Sequence, residues 1–381
     1  MNCAEVNVII IGGVHHNTLG VLRSLSEAGV PQKNLQVIIV AKETKPKNII
    51  SASKYIDSES ISYLNEYSQI VPLLKKAQFD EKKVIICCSD GTAEAVMSAK
   101  EELLDKYKMP ALSMNVTELM VKSKQAQIAV ECGMNVPVSG DFVVDQNIDW
   151  NIFPCIIKPY KSVEGAGKAD IRVVSSKKEL LDIVLSLKAG KIQIQQYIDK
   201  AMEFQLIGCS LDAGKTIIIP GFTNIIRQPK NTNTGYLVYS PIEELVFDYK
   251  SIKDFIQTIG YSGLFSIEFI RGKDGKDYFL EINMRNDGNA YCVTSAGVNL
   301  PYIWTYYQCY EKIPPIPTSF KKAIHFIPDF NDLKVSIKKI GIVKWLKEFR
   351  QAESHSIYNK NDMGPFRFEF MRQIKKLFNH Q

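Results

Sequence analysis

The chain has 381 residues, of which 45% are hydrophobic and 23% are charged, and its formal net charge is +6. This length exceeds what one compact core supports and predicts two or three domains. The mild positive charge and the lack of a dense basic tract disfavour a nucleic-acid-binding protein and fit anionic small molecules better.

Eight cysteines are scattered along the chain without any C-x-x-C pair. This spacing indicates neither a zinc site nor a disulfide framework, and it is typical of small buried side chains in a reducing compartment. No basic region precedes Arg23, and the apolar run 9–14 is too short to span a membrane. The sequence therefore predicts a cytoplasmic protein without a membrane span, and it leaves open whether the chain forms a homodimer.

The first 112 residues alternate between predicted strands and helices. Residues 6–11 form a continuous apolar run, typical of a parallel strand that is buried on both faces. A helix is predicted over 18–28, because three leucines share one face and Gly29 follows. The further predicted elements are strands at 35–40 and 84–88 and a helix at about 93–107. This alternation predicts a doubly wound α/β sheet, whose ligands bind at the carboxyl ends of its strands.

The turn after the first predicted strand contains Gly12 and Gly13 but lacks the G-x-G-x-x-G spacing of a dinucleotide site. His15, His16 and Asn17 follow at the strand end, where small-molecule contacts occur. These residues are equally consistent with a solvated loop, and the sequence does not decide between the two interpretations.

Residues 114–133 are predicted to form a helical linker, and residues 134–330 a longer α+β unit. The strands predicted in this unit, besides a hairpin, are 142–144, 155–158, 192–195, 204–210 and 216–219. The predicted helices are 177–187 and 300–310. The basic tail 321–381 is predicted to be partly helical, with a packing face formed by Trp345, Leu346 and Phe349.

Two apolar segments, 264–270 and 278–282, are predicted to pair as a hairpin around Asp274-Gly275. This dipeptide favours a two-residue turn whose central residues both have positive φ. Such a turn pairs residues whose numbers sum to 549, so Glu268 faces Glu281. By the same rule Ser266 faces Asn283 and Phe269 faces Leu280.

Side chains alternate along a strand, so Glu281, Asn283 and Arg285 are predicted to share one face. Leu280, Ile282 and Met284 would share the opposite, core face. Two opposed carboxylates have Cβ atoms roughly 5 Å apart and repel each other. Mg²⁺ would relieve this repulsion, because it prefers oxygen ligands such as carboxylates and an amide carbonyl. Neutralisation by Arg285 alone, on a solvated sheet face, is the alternative.

Candidate phosphate contacts precede the hairpin. Lys158 lies in an apolar strand, where a lysine is costly unless it meets an anion, although it could also reach water from a sheet edge. The loop 162–168 contains Gly165 and Gly167, and its backbone amides could close over phosphates.

A candidate nucleotide hinge follows. Gln196, Tyr197 and Ile198 end one strand segment, and Glu203 opens the next strand. This pattern suits backbone contacts to adenine and a carboxylate on a ribose, but it also suits an ordinary strand–turn–strand.

Arg227, Lys230 and Tyr236 lie in a polar segment between the hinge and the hairpin. Arginine is suited to bidentate binding of a carboxylate, so this segment predicts a substrate site. An exposed surface loop without a ligand is the alternative.

Taken in chain order, these motifs resemble the ATP-grasp superfamily over nearly the whole chain. The most specific element is Glu268 followed by Glu281-x-Asn283-x-Arg285, and it is preceded by Lys122, Lys158-Pro159 and the hinge. Within the superfamily, Arg285-Asn286-Asp287-Gly288 and residues 296–301 are similar to D-aspartate ligases and related carboxylate–amine ligases. The large subunit of carbamoyl-phosphate synthetase is a more distant relative.

The resemblance implies a domain order. A Rossmann-like pre-ATP-grasp domain would cover 1–112, and a two-lobed ATP-grasp domain 113–320. The small lobe would span about 134–198 and the large lobe about 199–320. The extension 321–381 would pack on the ATP-grasp domain.

The resemblance also implies an ATP-dependent ligase that uses Mg²⁺, which Mn²⁺ can replace. A carboxylate would attack the γ-phosphate, and an amine would then displace phosphate from the acyl phosphate. The implied ATP contacts are Lys122, Lys158, Gly165, Gly167, Gln196, Tyr197, Ile198 and Glu203. The implied metal ligands are Glu268, Glu281 and Asn283. The implied catalytic residues are Arg285 and Lys158, and the implied substrate contacts are Arg227, Lys230, Tyr236, Arg285 and Gly288.

Two features depart from the family pattern. Gln195 and Gln196 stand where acidic residues are common, and the loop 162–168 has fewer glycines than in many relatives. They motivate an alternative in which the chain is an inactive nucleotide-binding module. Because the three metal ligands are intact, the sequence predicts an active enzyme. Other acyl-phosphate chemistry, giving a carbamoyl phosphate, a thioester or a carboxylated product, is a further alternative.

Overall fold

The computed structural model describes residues 6–43, 46–79, 81–144, 148–159, 172–186, 191–228 and 234–378. Within these ranges the strands form three sheets, which follow one another along the chain. No helix in the same ranges is both long enough and apolar enough to cross a lipid bilayer.

The first sheet has five parallel strands in the order β3-β2-β1-β4-β5, which confirms the predicted doubly wound topology. Its strands are β1 (Val8–Gly12), β2 (Leu35–Val40), β3 (Ile61–Leu64), β4 (Lys83–Cys87) and β5 (Tyr107–Lys108). Its helices are α1 (His16–Glu27), α2 (Ile70–Lys76), α3 (Asp90–Ser98) and α4 (Lys100–Leu103). The strand order reverses at β1, so the segments that follow β1 and β4 border a topological switch point.

Two predicted helices are wrong in extent. The helix predicted over 93–107 is split into α3 and α4, and Tyr107 enters β5 with a fully buried side chain. The helix predicted over 114–133 is two helices, α5 (Val116–Leu119) and α6 (Lys122–Glu131). Local caps account for the observed starts: Ser89 caps α3 in a capping box with Thr92, so α3 begins before the predicted residue 93, and the Asn115 side chain caps α5, which begins after the predicted residue 114.

The second sheet has four antiparallel strands in the order β6-β9-β7-β8. They are β6 (Ser139–Val143), β7 (Cys155–Pro159), β8 (Arg172–Val174) and β9 (Lys191–Gln196). Helix α7 (Lys177–Ser186) packs on this sheet through Leu180 and Val184, which join a core with Ile157 and Ile194. This sheet lies within the predicted small lobe.

The third sheet has seven strands in the order β14-β13-β10-β11-β12-β15-β16. They are β10 (Lys200–Leu211), β11 (Thr216–Arg227), β12 (Tyr236–Pro241), β13 (Gly263–Gly272), β14 (Asp277–Asn283), β15 (Ile324–Ile327) and β16 (Ser354–His355). The helices that accompany it are α8 (Tyr249–Ile259), α9 (Tyr291–Ser295), α10 (Leu300–Tyr310), α11 (Asp329–Ile340), α12 (Ile342–Gln351) and α13 (Gly364–Phe378). The C-terminal extension therefore completes this sheet with β15 and β16.

The predicted packing face of the tail is partly wrong. Trp345 is buried and Phe349 packs beside it, with ring centroids 5.1 Å apart. Leu346 is instead 41% exposed. Trp345 and Phe349 are four residues apart on helix α12, so their side chains lie on the same face of the helix. Leu346 directly follows Trp345 and therefore points to a different face.

The hairpin of β13 and β14 has the predicted register where the candidate site lies. Glu268 pairs with Glu281 and Ser266 with Asn283, but Phe269 pairs with Phe279 and not with Leu280. A β-bulge at this shift gives β14 one extra residue. Phe279 is consequently buried in the core, and Leu280 is only half-buried.

The hairpin turn differs from the predicted two-residue turn. Gly272 donates its amide to the Lys276 carbonyl at 2.9 Å, which leaves a three-residue loop. Only Gly275 has positive φ, at 80°, as three-residue loops with a terminal left-handed residue require. The longer loop shifts the register by one residue, and the bulge shifts it back before Glu268.

Gly275→Ala should therefore lower the free energy of unfolding by about 1 kcal/mol, because alanine resists the left-handed region. A new Cβ there meets no atom within 4 Å, so the effect is conformational. Gly275→Asn is the control, since asparagine tolerates this conformation. Urea denaturation measures both variants, and equal losses for alanine and asparagine would contradict this explanation.

Candidate active site

The face of the hairpin that carries Glu268, Glu281 and Asn283 is the centre of the candidate site. Glu268 accepts hydrogen bonds from Gln205 Nε2 at 3.1 Å and from Asn283 Nδ2 at 3.3 Å. Glu281 forms a 2.6 Å ion pair with Lys122, the first residue of α6. The repulsion between the two carboxylates is thus relieved by amides on one side and by an ammonium group on the other.

Three cations surround Glu281. Burial acts to raise the pKa of Glu281, but the charges of Lys122, Lys158 and Arg285 outweigh it and hold this pKa below its ordinary value. Burial likewise acts to lower the pKa of Lys122, and Glu281 and Glu268 outweigh it and raise this pKa. The carboxylate is therefore ionised and both partners keep their charges at neutral pH.

Lys158 reaches this cluster from the second sheet. It lies on β7, and its Nζ donates to Gln195 Oε1 on the neighbouring strand β9. Its charge is close enough to act on Glu281 of the third sheet. The two sheets therefore face each other across the carboxylates.

Arg285 links the hairpin to the N-terminal sheet. Its guanidinium donates to Asn283 Oδ1 at 3.0 Å, to Asp287 Oδ2 at 3.1 Å and to Asp90 Oδ1 at 3.0 Å. Burial acts to lower the pKa of Arg285, and the charges of Asp90 and Asp287 outweigh it and raise this pKa. The side chain is only 11% exposed, so it is held as a fixed positive charge.

A reciprocal amide pair joins the same two parts of the chain. Asn17 Nδ2 donates to the carbonyls of Cys88, at 2.8 Å, and of Asn286, at 2.7 Å. The Asn286 side chain donates back to Asn17 Oδ1, and its backbone amide donates to the Cys87 carbonyl at 3.0 Å. The strand ends of the first sheet are thereby fixed against the segment that follows Arg285.

The predicted hinge is ordered by backbone contacts. The Gln196 amide donates to the Val138 carbonyl at 2.8 Å, and the Tyr197 amide to the Pro154 carbonyl at 3.0 Å. Ile198 is buried, and Glu203 pairs with Lys200 at 2.6 Å. Contacts from these residues to adenine and ribose remain a prediction.

Arg227 forms its ion pairs in a different cluster of charged side chains. Its guanidinium forms a bidentate pair with Asp332, at 3.0 and 2.7 Å, and a second ion pair with Glu348 at 2.9 Å. It also lies over the ring of Tyr236, which is buried. The carboxylate partners that sequence analysis anticipated for this arginine are thus supplied by α11 and α12 of the same chain. Gly165, Gly167 and Lys230 lie outside the described residues.

Sequence analysis missed Asp90, Asp287 and Gln205. Asp287 lies two residues after Arg285, where an acidic residue could have been read as its partner. Asp90 and Gln205 carry no such local signal, because they reach the site only through the packing of α3 and the pairing of β10 with β13.

The donor set fits a hard divalent cation. Glu268, Glu281 and Asn283 offer only oxygen ligands, and the lowered pKa keeps Glu281 ionised. No group of three or more histidine, cysteine, aspartate or glutamate side chains suited to a metal occurs among the described residues. Two carboxylates and one amide leave coordination positions for phosphate oxygens and water, as is usual for Mg²⁺ bound with a nucleotide.

No family model matches the chain. Among curated proteins, it is similar to a D-aspartate ligase from Enterococcus faecium (strain Aus0004), with 22% identity over 83% of this chain and 80% of the relative. An L-amino acid ligase from Bacillus licheniformis matches in structure with a TM-score of 0.57 and 14% identity, over 80% of this chain and 74% of the other.

A second solved structure is the N5-carboxyaminoimidazole synthetase from Staphylococcus aureus complexed with ADP. It matches with a TM-score of 0.63 and 14% identity, over 84% of this chain and 82% of the other. Each of these matches covers at least 80% of this chain, and the relatives agree with the motifs found in the sequence. The chain therefore has the fold of the ATP-grasp ligases.

Proposed function

We propose that this chain is an ATP-dependent ligase that joins a carboxylate to an amine through an acyl phosphate and releases ADP and phosphate. The observation that carries the proposal is the cluster of Glu268, Glu281, Asn283 and Arg285 facing lysines from two other elements. Oxygen ligands and fixed cations at one place are what the transfer of a phosphoryl group requires, because its transition state is stabilised mainly by charge and positioning.

Glu268, Glu281 and Asn283 would hold Mg²⁺, or Mn²⁺ in its place. When bound, the cation neutralises phosphate charge and orients the γ-phosphate. Lys122 and Lys158 would contact the phosphates, with amides of the loop containing Gly165 and Gly167. Gln196, Tyr197 and Ile198 would surround the adenine, and Glu203 would bind the ribose.

In the first step, a substrate carboxylate oxygen attacks the γ-phosphorus and ADP leaves. In the second step, the amine nitrogen attacks the carbonyl carbon, the C–O bond to phosphate breaks, and the nitrogen loses a proton. Arg285 would stabilise the negative charge in both steps, since Asp90 and Asp287 hold its guanidinium in place. Arg285 and Gly288 form the proposed substrate site, and Arg227 is left out because Asp332 occupies it.

The proposal is tested by measuring phosphate release from ATP with Mg²⁺ while carboxylates are crossed with amines. D-Aspartate comes first among the carboxylates because of the D-aspartate ligase relative, and L-amino acids follow because of the L-amino acid ligase. We expect release to require both substrates, and mass spectrometry to find an amide. Nucleotide binding without carboxylate-dependent release would instead favour an inactive nucleotide-binding module.

Arg285→Lys should lower kcat by about 10²-fold, since an ammonium group cannot replace the directed donors of the guanidinium. Binding of a non-hydrolysable ATP analogue should change little. A variant with wild-type kcat would remove Arg285 from the catalytic steps.

A carboxylation is the second candidate, because the N5-carboxyaminoimidazole synthetase matches with the higher TM-score of the two structures, 0.63 against 0.57. In this case bicarbonate would be the carboxylate. Bicarbonate is therefore part of the same screen, and a bicarbonate-dependent, amine-dependent release of phosphate would favour this candidate.

A further inference from the structure

We propose that His15 completes the substrate site, where it donates a hydrogen bond to the reacting carboxylate opposite Arg285. This inference rests on the proposed function, and it adds His15, which lies between β1 and α1, to a site whose other residues follow the third sheet.

His15 lies where the first sheet meets the segment that follows Arg285. It follows β1 at the topological switch point, directly before α1, and its side chain is exposed. An added Cβ on Gly288 would lie 4.0 Å from His15 Cε1 and 3.4 Å from His16 Nε2. The same Cβ would lie 3.1 Å from Thr234 Oγ1, so Gly288, three residues after Arg285, allows the backbone to approach both imidazoles closely.

The orientation of the His15 ring is set by its neighbours. Its Nδ1 accepts the Asn17 amide at 3.3 Å, so the proton of the neutral ring is on Nε2. Its ring packs against His16, with centroids 3.8 Å apart. His16 is buried and forms a hydrogen bond through Nε2 with Thr234 Oγ1 at 3.3 Å, so its ring is a fixed surface for His15 to pack against. His15 therefore presents an Nε2–H donor.

The charge state of the His15 ring suits a neutral hydrogen-bond donor and not a cation or a general base. Partial desolvation of the ring and the charge of Arg285 lower the pKa of His15 below its ordinary value, against a smaller opposite effect of Asp287. The ring is neutral at physiological pH, and its Nδ1 lone pair is already used. A neutral imidazole at the start of a helix can polarise a carbonyl without transferring a proton.

The proposed hydrogen bond from His15 would act on the substrate carboxylate in both steps of the reaction. The carboxylate would lie between the guanidinium and Nε2–H while one of its oxygens attacks the phosphorus. When the amine adds to the acyl phosphate, negative charge gathers on the remaining oxygen, and both donors stabilise it until phosphate leaves. The His15 proton stays on Nε2 throughout. Donors of this kind are typically worth 10²–10³-fold in rate.

The test uses His15→Ser, because serine keeps a good N-cap for α1 but lacks a donor that reaches the site. Acyl phosphate is trapped with hydroxylamine, using D-aspartate or whichever carboxylate the screen identifies. We expect kcat/KM for the carboxylate to fall by about 10²-fold, while KM for ATP stays unchanged. His15→Asn, which also caps and carries an N–H donor, should recover part of the loss.

Two further variants sharpen the result. Gly288→Ala should raise KM for the carboxylate, because its Cβ would occupy the space beside both imidazoles, and the φ of Gly288 is outside the left-handed region. His325→Ser, in an exposed pair with Glu353, is the matched control and should behave as wild type.

His15→Ser with wild-type kcat/KM, or with a change in KM for ATP alone, would overturn the assignment of His15 and leave the ligase proposal standing. A wild-type protein that forms no hydroxamate with any carboxylate would overturn both.

Discussion

Glu281→Gln is expected to reduce Mg²⁺-dependent formation of ADP by about 10³-fold. Glutamine keeps the size of the side chain and can still accept a hydrogen bond from Lys122, but it lacks the charge that a divalent cation requires. Because Glu281 stands directly opposite Glu268 and is surrounded by Lys122, Lys158 and Arg285, its charge is the one most closely tied to the proposed phosphate site.

The measurement is ADP formation as a function of Mg²⁺ concentration for the wild type and the variant. Glu102→Gln is the matched control, because Glu102 of α4 also pairs with a lysine at 2.6 Å, but both side chains of that pair are exposed. A thermal unfolding curve confirms that both variants are folded. Turnover in Glu281→Gln that equals the control would remove the metal assignment.

Asp362→Ala is expected to lower the free energy of unfolding by about 3–5 kcal/mol. Asp362 pairs with Arg23 of α1 at 3.0 Å, and neither side chain is exposed. Its carboxylate also accepts bonds from the Ser53 hydroxyl, at 2.8 Å, and from the Lys54 amide, at 3.0 Å. Removing it leaves the charge of Arg23 buried without a counter-ion, with only backbone carbonyls as hydrogen-bond partners, and this uncompensated charge makes the variant unstable.

Urea denaturation measures this change, and Glu102→Gln again provides the control with an expected loss within about 0.5 kcal/mol. If Asp362→Ala unfolded at the same urea concentration as the wild type, the pair would contribute nothing to the attachment of the C-terminal segment. The expected loss would instead show that the extension is part of the folded unit that holds the N-terminal sheet.

The hairpin shows how sequence reasoning can succeed at a site while missing details around it. The predicted two-residue turn was one residue too short, and no bulge was anticipated near Leu280. These two errors have opposite effects on the register, so Glu268 still pairs with Glu281. The alternation of side chains between the two faces of a sheet depends only on local strand geometry. It therefore holds in the regular part of the strand, between the bulge and the strand end.

The parts that could not be predicted depend on packing between distant segments. Asp90 contacts Arg285 across 195 positions of sequence, and no periodicity or spacing signals such a contact. Arg227 is a second example, because its polar surroundings suggested an external carboxylate, and its ion-pair partners Asp332 and Glu348 lie far along the chain. His15 was identified at a strand end, but its position beside Gly288 depends on how the first sheet packs against the third.

The most direct test of the proposed chemistry is the fate of the carboxylate oxygens. A substrate carboxylate labelled with ¹⁸O in both positions is incubated with ATP, Mg²⁺ and the amine found in the screen, and the phosphate is analysed by mass spectrometry. Since one carboxylate oxygen attacks the γ-phosphorus and leaves with it, we expect one ¹⁸O atom in each phosphate released. Phosphate without ¹⁸O would mean that the carboxylate is not phosphorylated, and it would contradict the proposed role of the site around Glu281 and Arg285.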